Sequence, residues 1–331
     1  MPRPFSDEQL RTLVNLAQHY AVWIESERTL AALPYDLRRK TIAGRDYLYE
    51  IIDRSGNGRS LGPWSEDLEL RFDRYRSAKA EAKNRRELSV ATLAETCRLY
   101  RALRLPMIGS EAAAILREAD RRTLLGAELL LIGTNAIPAY AIEAAAFLDA
   151  PMETQDLDLA WAADEPGSGT DKVWPMLKAV DQTYTVNTER PCQARNAAAY
   201  EVELLIAPSR AGSLSRTDQP RPVPLPEQEW LLMGSRVDRV VVGRDGAPAR
   251  IVAPDPRWFA LHKLWLADKP GRNPLKRSKD AQQGLAVLDA VHLSMPQFPL
   301  DAAFEESLPD ELAMPFDKWR ARIPKRPRPE W

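Results

Sequence analysis

Three short stretches of this chain carry residues that could do chemistry together. They are the turn Gly133-Thr134-Asn135, the alternating stretch Asp156-Leu157-Asp158, and Glu203 in a later apolar run. A turn that can hold a phosphate, followed by three carboxylates on strands, is what metal-assisted transfer of a nucleotidyl group requires. No other part of the sequence limits the possible chemistry as much.

The first stretch has the features of a phosphate-binding turn. Gly133 follows the apolar run Leu129–Ile132 and allows the backbone to approach a ligand closely. A helix after this turn would direct its free N–H groups and its positive dipole end at the same place. Thr134 adds a hydroxyl, so the β- and γ-phosphates of a nucleotide could bind here. Strand–glycine–helix junctions are common, and this turn alone does not identify a phosphate site.

The second stretch places two carboxylates on one face of a strand. Side chains at positions i and i+2 of a strand share a face, so Asp156 and Asp158 project together while Leu157 points into the core. Two adjacent carboxylates repel each other unless a cation lies between them, and Mg²⁺ prefers such oxygen ligands. The alternative for this pair alone is a solvated strand face at a sheet edge.

Glu203 is the third carboxylate. It lies between Val202 and Leu204, and a carboxylate in so apolar a strand needs a partner or a metal. Glu201 shares its strand face and competes for the same role, and an exposed edge strand with two glutamates is the alternative. Together with the turn and the aspartate pair, Glu203 favours a catalytic site.

The elements around these residues predict an α+β fold. The core would hold strands at 129–132, 156–160 and 200–206, a helix at 135–148, and a mixed sheet extended by a hairpin at 237–252 with an Asp245-Gly246 turn. The first hundred residues are predicted to be mostly helical, with a surface turn near Gly56 and Gly62. Helices are predicted over 65–85, 88–103, 110–125, 258–267 and 276–292, a long loop over 207–229, and a loosely ordered basic tail over 324–331.

These elements predict three regions. Residues 1–120 would form an N-terminal helical region, 121–256 a catalytic core with the added hairpin, and 257–331 a C-terminal helical region and tail. The C-terminal region would close one side of a cleft.

The composition is that of an ordinary soluble globular protein. The chain has 331 residues, 44% of them hydrophobic, and a formal net charge of -1, which gives no argument for binding nucleic acid or a membrane. Its two cysteines show neither metal-ligand spacing nor a disulfide framework. Without an apolar segment of signal-peptide or membrane-spanning length, a cytoplasmic location is expected.

This set of motifs resembles the DNA-polymerase-β-type nucleotidyltransferase superfamily. In particular, it resembles a bacterial nucleotidyltransferase-like branch that is similar in layout to the nucleotidyltransferase antitoxins of abortive-infection systems. The stretches that carry the resemblance are Ser60–Pro63, Ile115–Arg117, Leu131–Tyr140, Thr154–Leu159, His262–Leu264 and Arg277–Gln282. The spacer between Gly133 and Asp156 is longer than in compact members, and Glu203 stands where many members have Asp.

The resemblance implies a set of roles. Asp156, Asp158 and Glu203 would be catalytic and would bind Mg²⁺ or Mn²⁺. The nucleotide, with ATP as the expected NTP, would be bound by Gly133, Thr134, Asn135, Lys263, Lys279 and Asp280. An NMP would pass to a hydroxyl acceptor on a protein, an RNA or a small molecule, with release of pyrophosphate. No catalytic role is expected for His262, because in this superfamily the metal and a carboxylate activate the nucleophile.

Two alternatives stay open. The same fold could serve as a catalytically weak nucleotide-binding module or as a protein-docking module. A nucleic-acid polymerase or a tRNA end-adding enzyme is less favoured, because the sequence shows no strong basic stripe and no template-binding module.

Overall fold

The structure is a computed structural model that describes residues 2–163, 170–214 and 217–323. The tail predicted for 324–331 lies outside these ranges. In chain order, the helices of the described part are α1 (Asp7–Ala32), α2 (Glu66–Ala102), α3 (Ser110–Arg121), α4 (Ile137–Glu143), α5 (Val173–Val180), α6 (Pro256–Asp268), α7 (Pro274–Ser294), α8 (Ala302–Glu306) and α9 (Asp310–Arg320). Across these ranges, no helix has the length and apolarity needed to cross a membrane.

Four sheets accompany these helices in the described ranges. In chain order, their strands are β1 (Arg3–Pro4), β2 (Asp36–Ile42), β3 (Arg45–Ile51), β4 (Gly58–Pro63), β5 (Met107–Ile108), β6 (Leu129–Leu131), β7 (Ala146–Phe147), β8 (Asp156–Trp161), β9 (Thr185–Val186), β10 (Gln193–Arg195), β11 (Glu201–Ile206), β12 (Val223–Pro224), β13 (Val237–Gly243) and β14 (Pro248–Ala253). The α+β class with a mixed sheet is confirmed.

Contacts divide the chain into two compact units. The smaller unit is Asn15–Thr96, and the larger one joins Met1–Val14 to Cys97–Trp331. These two units are defined by contacts, whereas the three predicted regions are consecutive stretches of sequence. The boundaries of those three regions stay a prediction. Every residue singled out above for chemistry belongs to the larger unit.

Helices α1 and α2 cover most of the first hundred residues, as expected, but the smaller unit also contains a sheet that was not predicted. Strands β2, β3 and β4 form an antiparallel sheet, and Leu37, Leu48 and Tyr75 form a small core. Ala43 and Gly44 both have positive φ, which is the backbone of a tight hairpin turn between β2 and β3. Strand β2 is so rich in charge that it gives little apolar alternation, which is the signal that would have predicted it. The two helices predicted over 65–85 and 88–103 form one continuous helix, α2.

The larger unit contains the mixed sheet that carries the candidate site. Its strand order is β6-β8-β11-β10-β9, and β12 also pairs with β11. Strands β8 and β11 run parallel, whereas β6 is antiparallel to β8 and β10 is antiparallel to β11. The three strands predicted around the chemistry-bearing residues are confirmed as β6, β8 and β11.

Two predicted features of the core differ from the structure. The 237–252 hairpin forms, with Asp245-Gly246 at its turn, but it does not extend the mixed sheet, because β13 pairs with β5 in a separate three-stranded sheet. The helix predicted over 135–148 is shorter. It begins as a 3₁₀ turn, α4 ends at Glu143, and Ala145 then takes a positive φ before β7.

Helices α6 and α7 pack closely and cover one side of the site. A Cβ at Gly284 of α7 would lie 2.8 Å from the carbonyl oxygen of Ala260 in α6, so only glycine allows this approach. The close packing brings the polar residues at the start of α7 next to the end of α6.

Candidate active site

The register of two parallel strands brings the three predicted carboxylates together. In the pairing of β8 with β11, Asp158 lies opposite Glu203, and Asp156 lies opposite Glu201. Asp156, Asp158 and Glu203 all line a cavity of about 390 Å³. The competing Glu201 is bound instead by Arg195, whose Nε donates to its Oε1 at 2.9 Å. The structure therefore selects Glu203 as the third acid at this cavity.

Gly133 lies directly against the carboxylate of Asp158. A Cβ at position 133 would be 2.1 Å from Asp158 Oδ2, and the φ of Gly133 is -94°, which any residue can adopt. The glycine is therefore required for space and not for backbone conformation. Because the turn and the aspartate touch, Gly133 fixes where the carboxylate of Asp158 can lie.

This contact predicts the effect of Gly133→Ala. The added methyl group must displace the Asp158 carboxylate, and misplacement of a reacting constellation by about 1 Å costs about a hundredfold in rate. We expect nucleotidyl transfer to fall by about that factor or more. Gly109→Ala is the control, because a Cβ there meets no atom within 4 Å and the φ of Gly109 is -58°. Equal activity of the two variants would contradict the proposed constraint.

The electrostatics of the site centre on Asp158. Burial, then the neighbouring charge of Asp156, and further that of Glu203 raise its pKa to about 6, although Lys263 and Lys276 oppose the shift. A carboxyl with a pKa raised in this way holds a proton more readily than usual until a cation approaches. A metal ion between Asp156 and Asp158 would relieve the repulsion that raises this pKa.

The other two acids are held by neighbouring side chains. Gln193, opposite Glu203 on β10, donates from Nε2 to Glu203 Oε1 at 3.3 Å. Lys276 Nζ lies 3.8 Å from Asp156 Oδ2. Asn135 donates from Nδ2 to the carbonyl oxygen of Asp156 at 2.9 Å, so the turn and the aspartate strand are fixed to each other.

Thr134 and Asn135 are buried and do not line the cavity. The hydroxyl of Thr134 accepts a hydrogen bond from Gln283 Nε2 at 3.2 Å, and the same nitrogen donates to the carbonyl oxygen of Pro151 at 2.7 Å. In this arrangement Thr134 joins the turn to α7. Direct contact between Thr134 or Asn135 and a phosphate stays a prediction.

A cluster of cations forms another part of the cavity wall. Lys263 in the middle of α6 and Arg272 before α7 both line the cavity, and both bind the buried Asp280. The Lys263 Nζ lies 3.0 Å from Asp280 Oδ1, and the Arg272 Nε lies 2.9 Å from Asp280 Oδ2. Lys269 and Lys276 line the same cavity. Asp280 itself does not line the cavity. Because it binds both Lys263 and Arg272, it positions these two cations on the cavity wall.

Of the two lysines on α7, Lys276 lines the cavity and Lys279 does not. The Lys279 Nζ donates to the carbonyl oxygen of Glu153 at 2.8 Å, and burial lowers its pKa. Contact of Lys279 with the nucleotide stays a prediction. Sequence reasoning missed Lys276, Lys269 and Arg272 as site residues. Only for Lys276 was there a signal, since it precedes Lys279 and Asp280 by three and four residues on the same helix face.

His262 lies on the cavity wall but is kept neutral. Its ring stacks on Trp265 with centroids 6.1 Å apart, and burial, reinforced by the charge of Lys263, lowers its pKa to about 3. A histidine with so low a pKa is not an imidazolium near neutral pH, so it cannot act as a strong acid there. The absence of a catalytic role for His262 stays a prediction.

The donor set suits a hard cation that also binds phosphate oxygens. Within residues 2–163, 170–214 and 217–323, no group of three or more Asp, Glu, His or Cys side chains is placed so that it could hold a metal ion by itself. Mg²⁺ commonly takes only one or two carboxylates and fills its remaining positions with waters and substrate phosphates. Asp156 and Asp158 on one strand face fit that pattern of two carboxylates, and a role for Glu203 as a metal ligand stays a prediction.

The acids on adjacent parallel strands, the glycine turn and the cluster of cations have the chemistry that transfer of a nucleotidyl group requires. Residues 110–309 match the sequence model of a family described as nucleotidyltransferase, and because the match covers more than half of the chain, the chain belongs to that family. Comparisons with curated proteins and with solved structures gave no match.

Proposed function

We propose that this protein is a Mg²⁺-dependent nucleotidyltransferase that moves an NMP from an NTP to a hydroxyl acceptor. The observation that carries the proposal is the parallel register of β8 and β11, which puts Asp158 beside Glu203 in the cavity that Asp156 also lines. ATP is the expected donor, and Mn²⁺ could replace Mg²⁺. The acceptor is a hydroxyl on a protein, an RNA or a small molecule.

The residues that line the cavity would bind the metal ion and the triphosphate. Asp156 and Asp158 would hold the metal, and Glu203 would complete the site on the acceptor side. Bound there, Mg²⁺ would neutralise phosphate charge and lower the pKa of the acceptor hydroxyl. Lys263 and Arg272, oriented by Asp280, would bind the triphosphate as it enters the cavity.

The reaction breaks a phosphoanhydride bond of the NTP and forms a phosphodiester bond to the acceptor. The acceptor oxygen bonds to the α-phosphorus, the bond from that phosphorus to the bridging oxygen breaks, and pyrophosphate leaves. The hydroxyl proton is lost to solvent or to a carboxylate. No covalent step on the protein is needed, so the rate would come from positioning and charge neutralisation.

Glu203→Gln tests whether the cavity is an active site. We expect the variant to keep NTP binding through Asp156, Asp158 and the cations, but to lose transfer, because the amide cannot supply the third negative charge. Binding would be measured as thermal stabilisation by Mg²⁺ with NTP against NTP with EDTA. Stabilisation by a ligand at a hundredfold excess over its Kd is about 2.7 kcal/mol. Glu201→Gln is the control, on the same strand but paired with Arg195.

The same experiment distinguishes nucleotidyl transfer from the alternative of a nucleotide-binding module. If wild type is stabilised by Mg²⁺ with NTP yet transfers nothing to any acceptor in a cell extract, the protein is a nucleotide-binding module. If no NTP raises the melting temperature, either with Mg²⁺ or with EDTA, both functions are wrong for this cavity.

A further inference from the structure

The smaller unit contains a second recess, which has no part in the proposed active site. We call it the basic groove. Its volume is about 690 Å³, and its lining includes five cationic side chains but only one carboxylate, that of Asp36. The five cations are Arg38, Arg76, Lys79, Lys83 and Arg86. The groove lies within Asn15–Thr96 and outside the residues that match the nucleotidyltransferase family.

Four of the five cations form a stripe along α2. Arg76, Lys79, Lys83 and Arg86 are three, four and three residues apart, which is the spacing of one helix face. At 1.5 Å per residue the stripe is about 15 Å long. No strong basic stripe was expected from the sequence, whereas the structure turns these four cations of α2 toward one recess.

The charge of the stripe is only partly neutralised. Asp36 binds Arg38 at 2.8 Å and lies 3.9 Å from Lys79, and Glu27 binds Arg86 at 2.9 Å. Arg76 and Lys83 have no carboxylate partner among the described residues. Arg76 and Lys83 lie on the same face of α2, and neither is neutralised by a carboxylate of the described residues. Each is therefore suited to bind a phosphate of a nucleic-acid backbone.

An exposed aromatic ring completes the groove. Tyr35 is 47% exposed, and its carbonyl oxygen accepts a hydrogen bond from the hydroxyl of Tyr75 at 3.4 Å. The Lys79 Nζ also binds that carbonyl oxygen and lies 6.0 Å from the centre of the Tyr35 ring. The backbone of Tyr35 is thus fixed while its ring faces solvent beside a cation, as in the stacking platforms of proteins that bind single strands.

We propose that the basic groove binds a single-stranded nucleic acid, with its phosphates along the α2 stripe and a base stacked on Tyr35. A recess of this volume holds a ligand of drug-like size, which corresponds to a few nucleotides with unstacked bases. An acidic peptide would use the cations but would gain nothing from the exposed ring. The proposal is independent of nucleotidyl transfer and needs neither Mg²⁺ nor NTP.

The test is fluorescence anisotropy of the full chain with labelled twelve-nucleotide probes, without metal or NTP. The probes are oligo(U) RNA, oligo(dT) DNA, a DNA duplex and a poly-glutamate peptide. The test variant is Arg76→Glu with Lys83→Glu, which removes no described ion pair. The matched control is Arg54→Glu with Arg71→Glu, which makes the same charge change at exposed positions outside the groove. Thermal melts would verify that both variants fold.

We expect wild type and the control to bind a single-stranded probe and the groove variant to bind it at least tenfold more weakly. Each lost phosphate contact should make the slope of log affinity against log salt shallower by about 0.7. Tyr35→Ala should weaken binding roughly fivefold or more through lost stacking. Preference for RNA or for DNA identifies the ligand and supports the proposal either way.

Three results would overturn it. They are no binding of either single strand at low salt, equal loss of affinity in the groove variant and the control, and binding of the duplex or the peptide as tight as that of the single strand.

Discussion

Asp158→Asn is expected to abolish nucleotidyl transfer and to make the metal-free protein more stable at pH 7.5. The transfer is lost because the amide cannot hold a cation with Asp156. The stability rises because the pKa of Asp158 is raised in the folded state to about 6, so its ionised form opposes folding. The shift above the ordinary value corresponds to about 2–3 kcal/mol.

The sign of this effect depends on pH. A carboxyl whose pKa is raised on folding contributes stability below its unfolded pKa, and that contribution is lost as the pH rises through about 6. The Tm gain of Asp158→Asn should therefore be larger at pH 7.5 than at pH 4.5. Melting curves in EDTA at both pH values test this, with Asp73→Asn at an exposed position of α2 as the control. A variant that is less stable than wild type at pH 7.5 would contradict the electrostatics of the site.

Asp280→Asn is expected to have the largest cost in stability. Asp280 is buried and binds both Lys263, whose side chain is 8% exposed, and Arg272. Removing one partner of a buried ion pair costs about 3–5 kcal/mol, because the other charge stays buried without compensation. For a chain of 331 residues the Tm should fall by about 4–7 °C. NTP binding should weaken as well, since two cations on the cavity wall lose their orientation.

The control for this prediction is the same substitution in an exposed ion pair. Asp268 binds Lys318 at 2.8 Å, and the two side chains are 50% and 60% exposed. Such surface pairs contribute about 0–1 kcal/mol, so Asp268→Asn should melt close to wild type. If the two variants melt at the same temperature, Asp280 does not hold the cation cluster as described.

The carboxylates could be predicted from the sequence because strand alternation is a local property. The period of two put Asp156 and Asp158 on one face, and the structure has them there. The choice between Glu201 and Glu203 could not be made from the sequence, since both share a face of β11. That choice depends on Arg195, which lies on another strand and binds Glu201.

The cations were harder to predict because their positions depend on tertiary packing. Arg272 lies in the connection between α6 and α7, where the sequence carries no periodicity, and it reaches the cavity through Asp280. Local sequence signals likewise gave no reason to expect Thr134 to bind Gln283, which is 149 residues away. The register of β8 against β11 is also non-local, and it is the register that assembles the site.

The most direct test of nucleotidyl transfer is incubation with α-³²P-labelled NTPs, Mg²⁺ and a cell extract. Wild type should transfer label from one NTP to a discrete acceptor and release unlabelled pyrophosphate. Transfer should stop with EDTA and in the Asp158→Asn and Glu203→Gln variants, but continue in Glu201→Gln. Label that reaches the acceptor equally with wild type and with Asp158→Asn, or no transfer from any of the four NTPs, would contradict the assignment of this cavity as the active site.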